Sequence, residues 1–265
     1  MTSSSKRWHE PSEGFMIADQ ERRFAKREQV ERLTAIGVDP ERYQEQIDPA
    51  FLIGLSIDAG IDAGISAEGN VNMLTSLCQQ APIRLNEPFV VSGMIESVQQ
   101  VPRGARIQTR VEFRSVTDAP LATVRRESLK PDPSSTAARG AGSRPAPVIG
   151  NLAELNRVAS YQLTPDATWA YSHEGNAIHY EVPAAEQAGF RAPIIGGGQG
   201  VHYLTAALWD EGYRALDVDI YFRRPIFWDQ TVWVVKTDHW SAVALVRDDK
   251  IGTEVRVNGV RSELR

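Results

Sequence analysis

Tyr171–Glu181 reads YSHEGNAIHYE, a stretch that brings together a carboxylate (Glu174), a glycine (Gly175), an amide (Asn176) and an imidazole (His179). Side chains of these types perform acid–base work on a water molecule or on a substrate C–H bond. Glu174 and His179 are five residues apart, about 140° around an ideal helix. A straight helix would separate them, so convergence requires a loop that runs into a helical turn. Gly175 supplies a permissive backbone, and Asn176 is suited to cap a turn carrying Ala177, Ile178 and His179. The same residues also suit a hydrogen-bonded surface segment, and both readings stand at this point.

The composition narrows the class. The chain has 265 residues, enough for one large domain or two ordinary ones. A hydrophobic share of 42% with 24% charged residues is that of a globular protein. The net charge of −5 offers no basic footprint for nucleic acid. The single cysteine, Cys78, excludes an intrachain disulfide and a cysteine-based metal cluster, and fits a reducing compartment. The opening MTSSSKRWHEPSEGF lacks the apolar run of a signal peptide, and no apolar stretch is long enough to span a bilayer. A cytoplasmic location without membrane contact is therefore expected. His9, His173, His179, His202 and His239 show no ligand spacing of the HExxH kind, so no metal is expected.

Residues 130–150, KPDPSSTAARGAGSRPAPVIG, have the Pro, Ser, Gly and Ala content of a linker with little to offer a core. They divide the chain into 1–129 and 151–265. An ungapped offset of 137 lays Pro88 on Pro225 and AIGVDPERY (35–43) on SHEGNAIHY (172–180). Gly37 then stands opposite Glu174, Asp39 opposite Asn176 and Arg42 opposite His179, as in a repeat whose first copy keeps the fold and lacks the acid–base pair. In ALDVDIYFR, Leu216, Val218, Ile220 and Phe222 alternate with polar residues, the period of a half-buried strand. TVWVVKT, SAVALVR and TEVRVNGV follow as an antiparallel meander. ARIQTRVEF, with Ile107, Val111 and Phe113 on one face, and LATVRRESL supply strands to the first half. Helices are expected over Arg22–Ile36 and, largely buried, over Gly200–Trp209. Helices followed by antiparallel strands in each half give an α+β arrangement.

Ala188–Gly200, AGFRAPIIGGGQG, opens the second of these helices. The spacing is wrong for a dinucleotide fingerprint, and the GxSxG elbow that would accompany a lipase-type oxyanion run is missing. Two readings remain open. The glycines either admit a substrate to the amides of a helix N-terminus or allow tight packing against a sheet. His202 reads as a packed core histidine, and Arg191, Arg223 and Arg224 as solvated charges.

These motifs resemble the MaoC-like (R)-specific enoyl-CoA hydratases and 3-hydroxyacyl dehydratases. Ser172–His179 is similar to that family's S-G-D-x-N-P-[LI]-H, and Ala188–Gly197 to its A-G-F-x-x-P-I-[LI]-H-G. Pro225, Asp229 and Thr231 resemble its P-x-x-x-G-D-T strand entry, and AIGVDPERY resembles the degenerate first repeat of double-hotdog members, with Pro40 retained. The resemblance implies a double hotdog, two repeats each wrapping an antiparallel sheet around a central helix. It implies reversible hydration of an enoyl thioester by Glu174 and His179, with Asn176 orienting them. The Gly197 amide, with Gly198 beside it and Gly196 before it, would hold the enolate. CoA or the pantetheine of an acyl carrier would be the handle, no cofactor would be needed, and a homodimer is compatible with this reading. Four positions depart from the motifs: His173 for Gly, Glu174 for Asp, Ala177 for Pro and Gly196 for His. The extra methylene of Glu174 moves its carboxylate by about an ångström, a displacement that costs roughly 100-fold in rate when uncompensated. A thioesterase in which Glu174 activates water against the carbonyl, and an inactive acyl-thioester-binding subunit, are the alternatives.

Overall fold

The computed structural model describes residues 7–132, 134–135, 145–173 and 175–261. Glu174 and, of the expected linker, Pro133 and residues 136–144 lie outside the described residues. In the first half, β1 (Met16–Arg23), α1 (Lys26–Ala35) and α2 (Phe51–Asp62) precede β2 (Val71–Gln79), β3 (Pro88–Val101), β4 (Gly104–Ser115) and β5 (Pro120–Pro131). In the second, β6 (Asn156–Gln162), α3 (Pro165–Ser172), α4 (Val182–Gln187) and α5 (Gly197–Asp210) precede β7 (Ala215–Phe222), β8 (Thr231–Lys236), β9 (Ala242–Arg247) and β10 (Lys250–Arg261).

All ten strands join one antiparallel sheet in the order β1-β3-β4-β5-β2-β7-β10-β9-β8-β6. Read from its two ends toward the middle, the order is the same in both halves. The halves meet at β2 and β7, where Leu77 faces Val218 across the seam. The expected meander is present as β8–β9–β10, and the alternation in β7 buries Leu216, Val218 and Ile220. On β4 the inward face carries Ile107, Val111 and Phe113 as expected.

One apolar core runs through both halves and includes Leu33, Phe51, Leu77, Val124, Leu204 and Val243. α2 and α5 pack against each other within it. Eleven of the 14 residues of α5 are buried, from Gln199 to Trp209, which makes it a core helix rather than an amphipathic surface one. It starts three residues before Gly200, because the glycines form its first turn.

Three expectations need correction. The helix expected from Arg22 begins at Lys26, since Arg22 and Arg23 pair in β1 with Phe89 and Pro88. β1 is the outermost strand and its burial does not alternate cleanly, so its charged residues mimic a helical surface. The end of the 130–150 segment does enter a core: Ile149 packs with Val235, Ala244 and Val246 in a second cluster. Glu254 accepts the Val148 and Ile149 amides at 3.1 Å each, and Arg223 donates to the Pro145 and Ala146 carbonyls at 3.0 and 2.9 Å. Arg223 is thus no solvated charge, since it also pairs with the buried Glu254 at 2.6 Å.

The third correction concerns the repeat. Asp39 and Asn176, 176 − 39 = 137 apart, both cap short 3₁₀ turns, Pro40–Tyr43 and Ala177–His179, by accepting the amide two residues on. There the offset of 137 holds. It does not hold beyond. The Ile47 amide bonds the Ile83 carbonyl just as Ile195 bonds Ile226, which sets offsets of 195 − 47 = 148 and 226 − 83 = 143. The partner of Pro225 is consequently Pro82, not Pro88. The second half inserts α4 between its 3₁₀ turn and its long helix, and an ungapped alignment cannot follow that.

Candidate active site

The segment before His179 is built by caps. Thr164 accepts the Ala167 amide at 3.2 Å and Pro165 sits in the first turn of α3, both favourable helix starts. α3 ends at Ser172, whose carbonyl takes the Gly175 amide at 2.8 Å. Asn176 Oδ1 then accepts the Ile178 amide at 3.2 Å and closes the turn carrying His179. The side chain of Asn176 is therefore occupied as a cap. His173 is exposed, stacked on Trp169 with ring centroids 4.5 Å apart.

His179 Nδ1 lies 2.9 Å from the Ile194 carbonyl. A carbonyl only accepts, so Nδ1 carries the proton and Nε2 keeps its lone pair. Burial holds the imidazole below its ordinary range, outweighing the Ile194 bond that raises it. His179 is thus a neutral base at neutral pH. Its Nε2 stands 3.6 Å from the place a Cβ on Gly196 would occupy, so the ring lies over the start of α5.

Close packing accounts for three glycines there. A Cβ on Gly197 would come within 2.8 Å of the Phe222 ring, one on Gly198 within 3.1 Å of the Tyr171 hydroxyl, and one on Gly200 within 3.2 Å of Leu245. Gly196 is different, because a Cβ there meets only the His179 ring at ordinary contact distance. The backbone reading of the same run is compatible with this packing: no side chain caps α5 at Gly196, and the first amides of a helix have no intrahelical acceptor. The helix dipole adds positive potential at that end.

A buried polar chain that sequence reasoning did not find lies beside this site. His202 on α5, fully buried, meets Asp48 Oδ2 through Nδ1 at 2.5 Å and the Tyr171 hydroxyl through Nε2 at 2.8 Å. Asp48, also fully buried, accepts the Ala50 amide through Oδ1 at 3.0 Å. A histidine on an apolar helix must find partners; that was the available signal, but the partner lies 154 residues away. Arg42, the counterpart of His179 in the first 3₁₀ turn, points to the far end of α5. It pairs with Asp210 at 2.6 Å, while its carbonyl accepts Trp209 Nε1–H at 2.7 Å. Arg191 forms a two-pronged pair with Asp229 at 2.8 and 3.0 Å, and Arg224 donates to the Ile251 carbonyl at 3.0 Å. Among the described residues no cluster of His, Cys, Asp and Glu could hold a metal ion, and no helix is long and apolar enough to cross a membrane.

No protein-family model matches the chain, and neither does any curated protein sequence. Solved structures do match. HtdX from Mycobacterium tuberculosis superposes with a TM-score of 0.72 at 18% identity, over 91% of this chain and 98% of that one. A MaoC-like dehydratase from Phytophthora capsici gives 0.69 at 15% identity over 92% and 95%. A further M. tuberculosis protein, described as having a double hotdog fold, gives 0.62 at 11% identity over 93% and 95%. The fold is a double hotdog. MaoC-like dehydratases are thus among the structural neighbours of this double hotdog, and at these identities the likeness establishes the architecture alone.

Proposed function

We propose that this double-hotdog protein is a hydro-lyase that reversibly hydrates an enoyl thioester to a 3-hydroxyacyl thioester. The observation that carries the reading is His179, a neutral base whose Nε2 overlies the uncapped start of α5. In the hydration direction Nε2 takes a proton from water as its oxygen bonds the β-carbon. The negative charge that develops on the thioester oxygen is held by the amides of Gly197 and Gly198. Glu174, protonated at the outset, gives its proton to the α-carbon, and the proton taken up by His179 returns to Glu174 through solvent to close the cycle. No metal or redox group takes part, and CoA or a carrier's pantetheine is the handle. Residues 1–129 and 151–265 would be the two hotdog repeats, with α2 and α5 as their central helices and the first half shaping the acyl pocket.

Incubation with a short panel of enoyl-CoA esters tests this. Formation of hydroxyacyl-CoA is the expected result. Release of free thiol would replace the reading with a thioesterase, and binding without turnover would leave an inert acyl-thioester-binding subunit.

A further inference from the structure

The chain Asp48–His202–Tyr171 crosses between the halves and ends at the first turn of α5. Its polarity starts at the carboxylate. Asp48 has only acceptors to offer, so His202 Nδ1, 2.5 Å away, carries a proton. Nε2 lies 2.8 Å from the Tyr171 hydroxyl, an O–H that can donate to it. With the phenol proton directed inward, the lone pairs of its oxygen remain for a donor outside the chain. That oxygen is the atom a Cβ on Gly198 would crowd, while His179 Nε2 is the nearest atom to a Cβ on Gly196. The two groups flank Gly197, one of the two residues proposed to hold the enolate. Phe51 shields the relay, its ring 4.3 Å from that of His202, and burial keeps the phenol protonated well above its ordinary range.

We infer that the Tyr171 oxygen is a second acceptor for the reacting water, and that Asp48 and His202 are positioning residues which keep it an acceptor. A water has two protons. One is transferred to His179 Nε2, and the other is held by Tyr171 and stays with the oxygen that becomes the β-hydroxyl. No additional bond breaks, so the reaction balances as before. The inference rests on the hydro-lyase reading for its chemistry, and it makes the first half a contributor to the second half's site.

Asp48→Asn is the decisive variant, because it keeps the shape and inverts the polarity. The Ala50 amide, now bonded to Oδ1 at 3.0 Å, claims the amide oxygen of an asparagine and leaves its NH₂ facing His202. The imidazole must then switch tautomer, with Nε2–H donating to Tyr171 and the phenol proton turned outward. We expect kcat for hydration to fall about tenfold, the worth of one neutral hydrogen bond, with KM within about twofold. Tyr171→Phe should lose the same factor. ¹⁵N NMR of the His202 ring should report the tautomer switch in Asp48→Asn, which a purely structural role for Asp48 would not demand. Wild-type kcat in both variants would overturn the inference while leaving the hydro-lyase reading in place. If Asp48→Asn does not fold, Tyr171→Phe decides alone. If the wild type hydrates no thioester, the hydro-lyase reading fails. That result removes the reacting water and overturns the inference with it.

Discussion

The two halves start their long helices from the same ladder and treat the result in opposite ways. Ile47 and Ile195 make equivalent bonds to Ile83 and Ile226. The next residue is Asp48 in one half and Gly196 in the other. Asp48 places a carboxylate at the entrance of α2 and takes the Ala50 amide. Gly196 leaves α5 without a side-chain cap. The preceding 3₁₀ turns diverge likewise. Both are capped by an Asx side chain, yet one presents Arg42 to the C-terminal end of α5 and the other presents His179 to its N-terminal end. One scaffold therefore serves twice, once with a carboxylate at the helix entrance and once with an imidazole over a glycine start.

Removing the chemistry from the second half should have the largest effect. Glu174→Gln and His179→Ala are each expected to reduce hydration by at least ~100-fold, as for acid–base groups, with circular dichroism unchanged. Near-wild-type rates in both would sink the assignment. Gly196→Asp makes the second entrance resemble the first. The added Cβ meets only ordinary contacts, so the protein should fold, but a carboxylate at the enolate's place should cost about 100-fold in kcat. Unimpaired turnover would show that the amides at this entrance do not take part.

Asp48→Ala tests the carboxylate entrance through stability, since it leaves His202 and the Ala50 amide without their partner. Each buried donor left unsatisfied costs about 1–3 kcal/mol, read from the urea midpoint. A milder test uses pH. Desolvation lowers the folded-state pKa of His179 beneath the 6.5 of a free imidazole. Between the two values the unfolded chain binds more protons, so stability from this group is present at higher pH and is lost as pH falls through that window. The acid limb of kcat/KM should accordingly lie below pH 6.5, and a limb above it would contradict a desolvated base. Arg42→Ala should matter least. Its partner Asp210 is largely exposed, the Trp209 bond uses the backbone, and pairs of this sort contribute less than about 1 kcal/mol. Hydration by this variant should stay near the wild-type rate.

What the sequence made legible was local. The alternation in β7 and β4, the cap at Asn176, and the buried character of α5 rest on neighbours within a few residues, and each is present in the structure. β1 was misread because an outermost, charged strand owes its form to β3, some seventy residues on, and not to its own pattern. The glycine run was read correctly as an unusual helix start, but only the Phe222, Tyr171 and Leu245 contacts explain why glycine is needed. Asp48 drew no reading from the sequence, because its role depends on a histidine in the other half. Burial of the Arg223–Glu254 pair was equally invisible, since both stand at the polar positions of alternating strand segments, on the face that reads as solvated.

The seam between β2 and β7 also bears on how such a chain could be divided. Each of these strands is the inner edge of its own half, and each satisfies its outward N–H and C=O groups on the other, from Leu74 opposite Tyr221 to Cys78 opposite Asp217. Ser76 adds a side-chain bond to Asp219 at 2.5 Å across the line. Either half produced alone would present that row of groups to solution, and a bare strand edge recruits another strand. A gene cut between the halves would yield polypeptides that seek each other, or copies of themselves, before they could remain single.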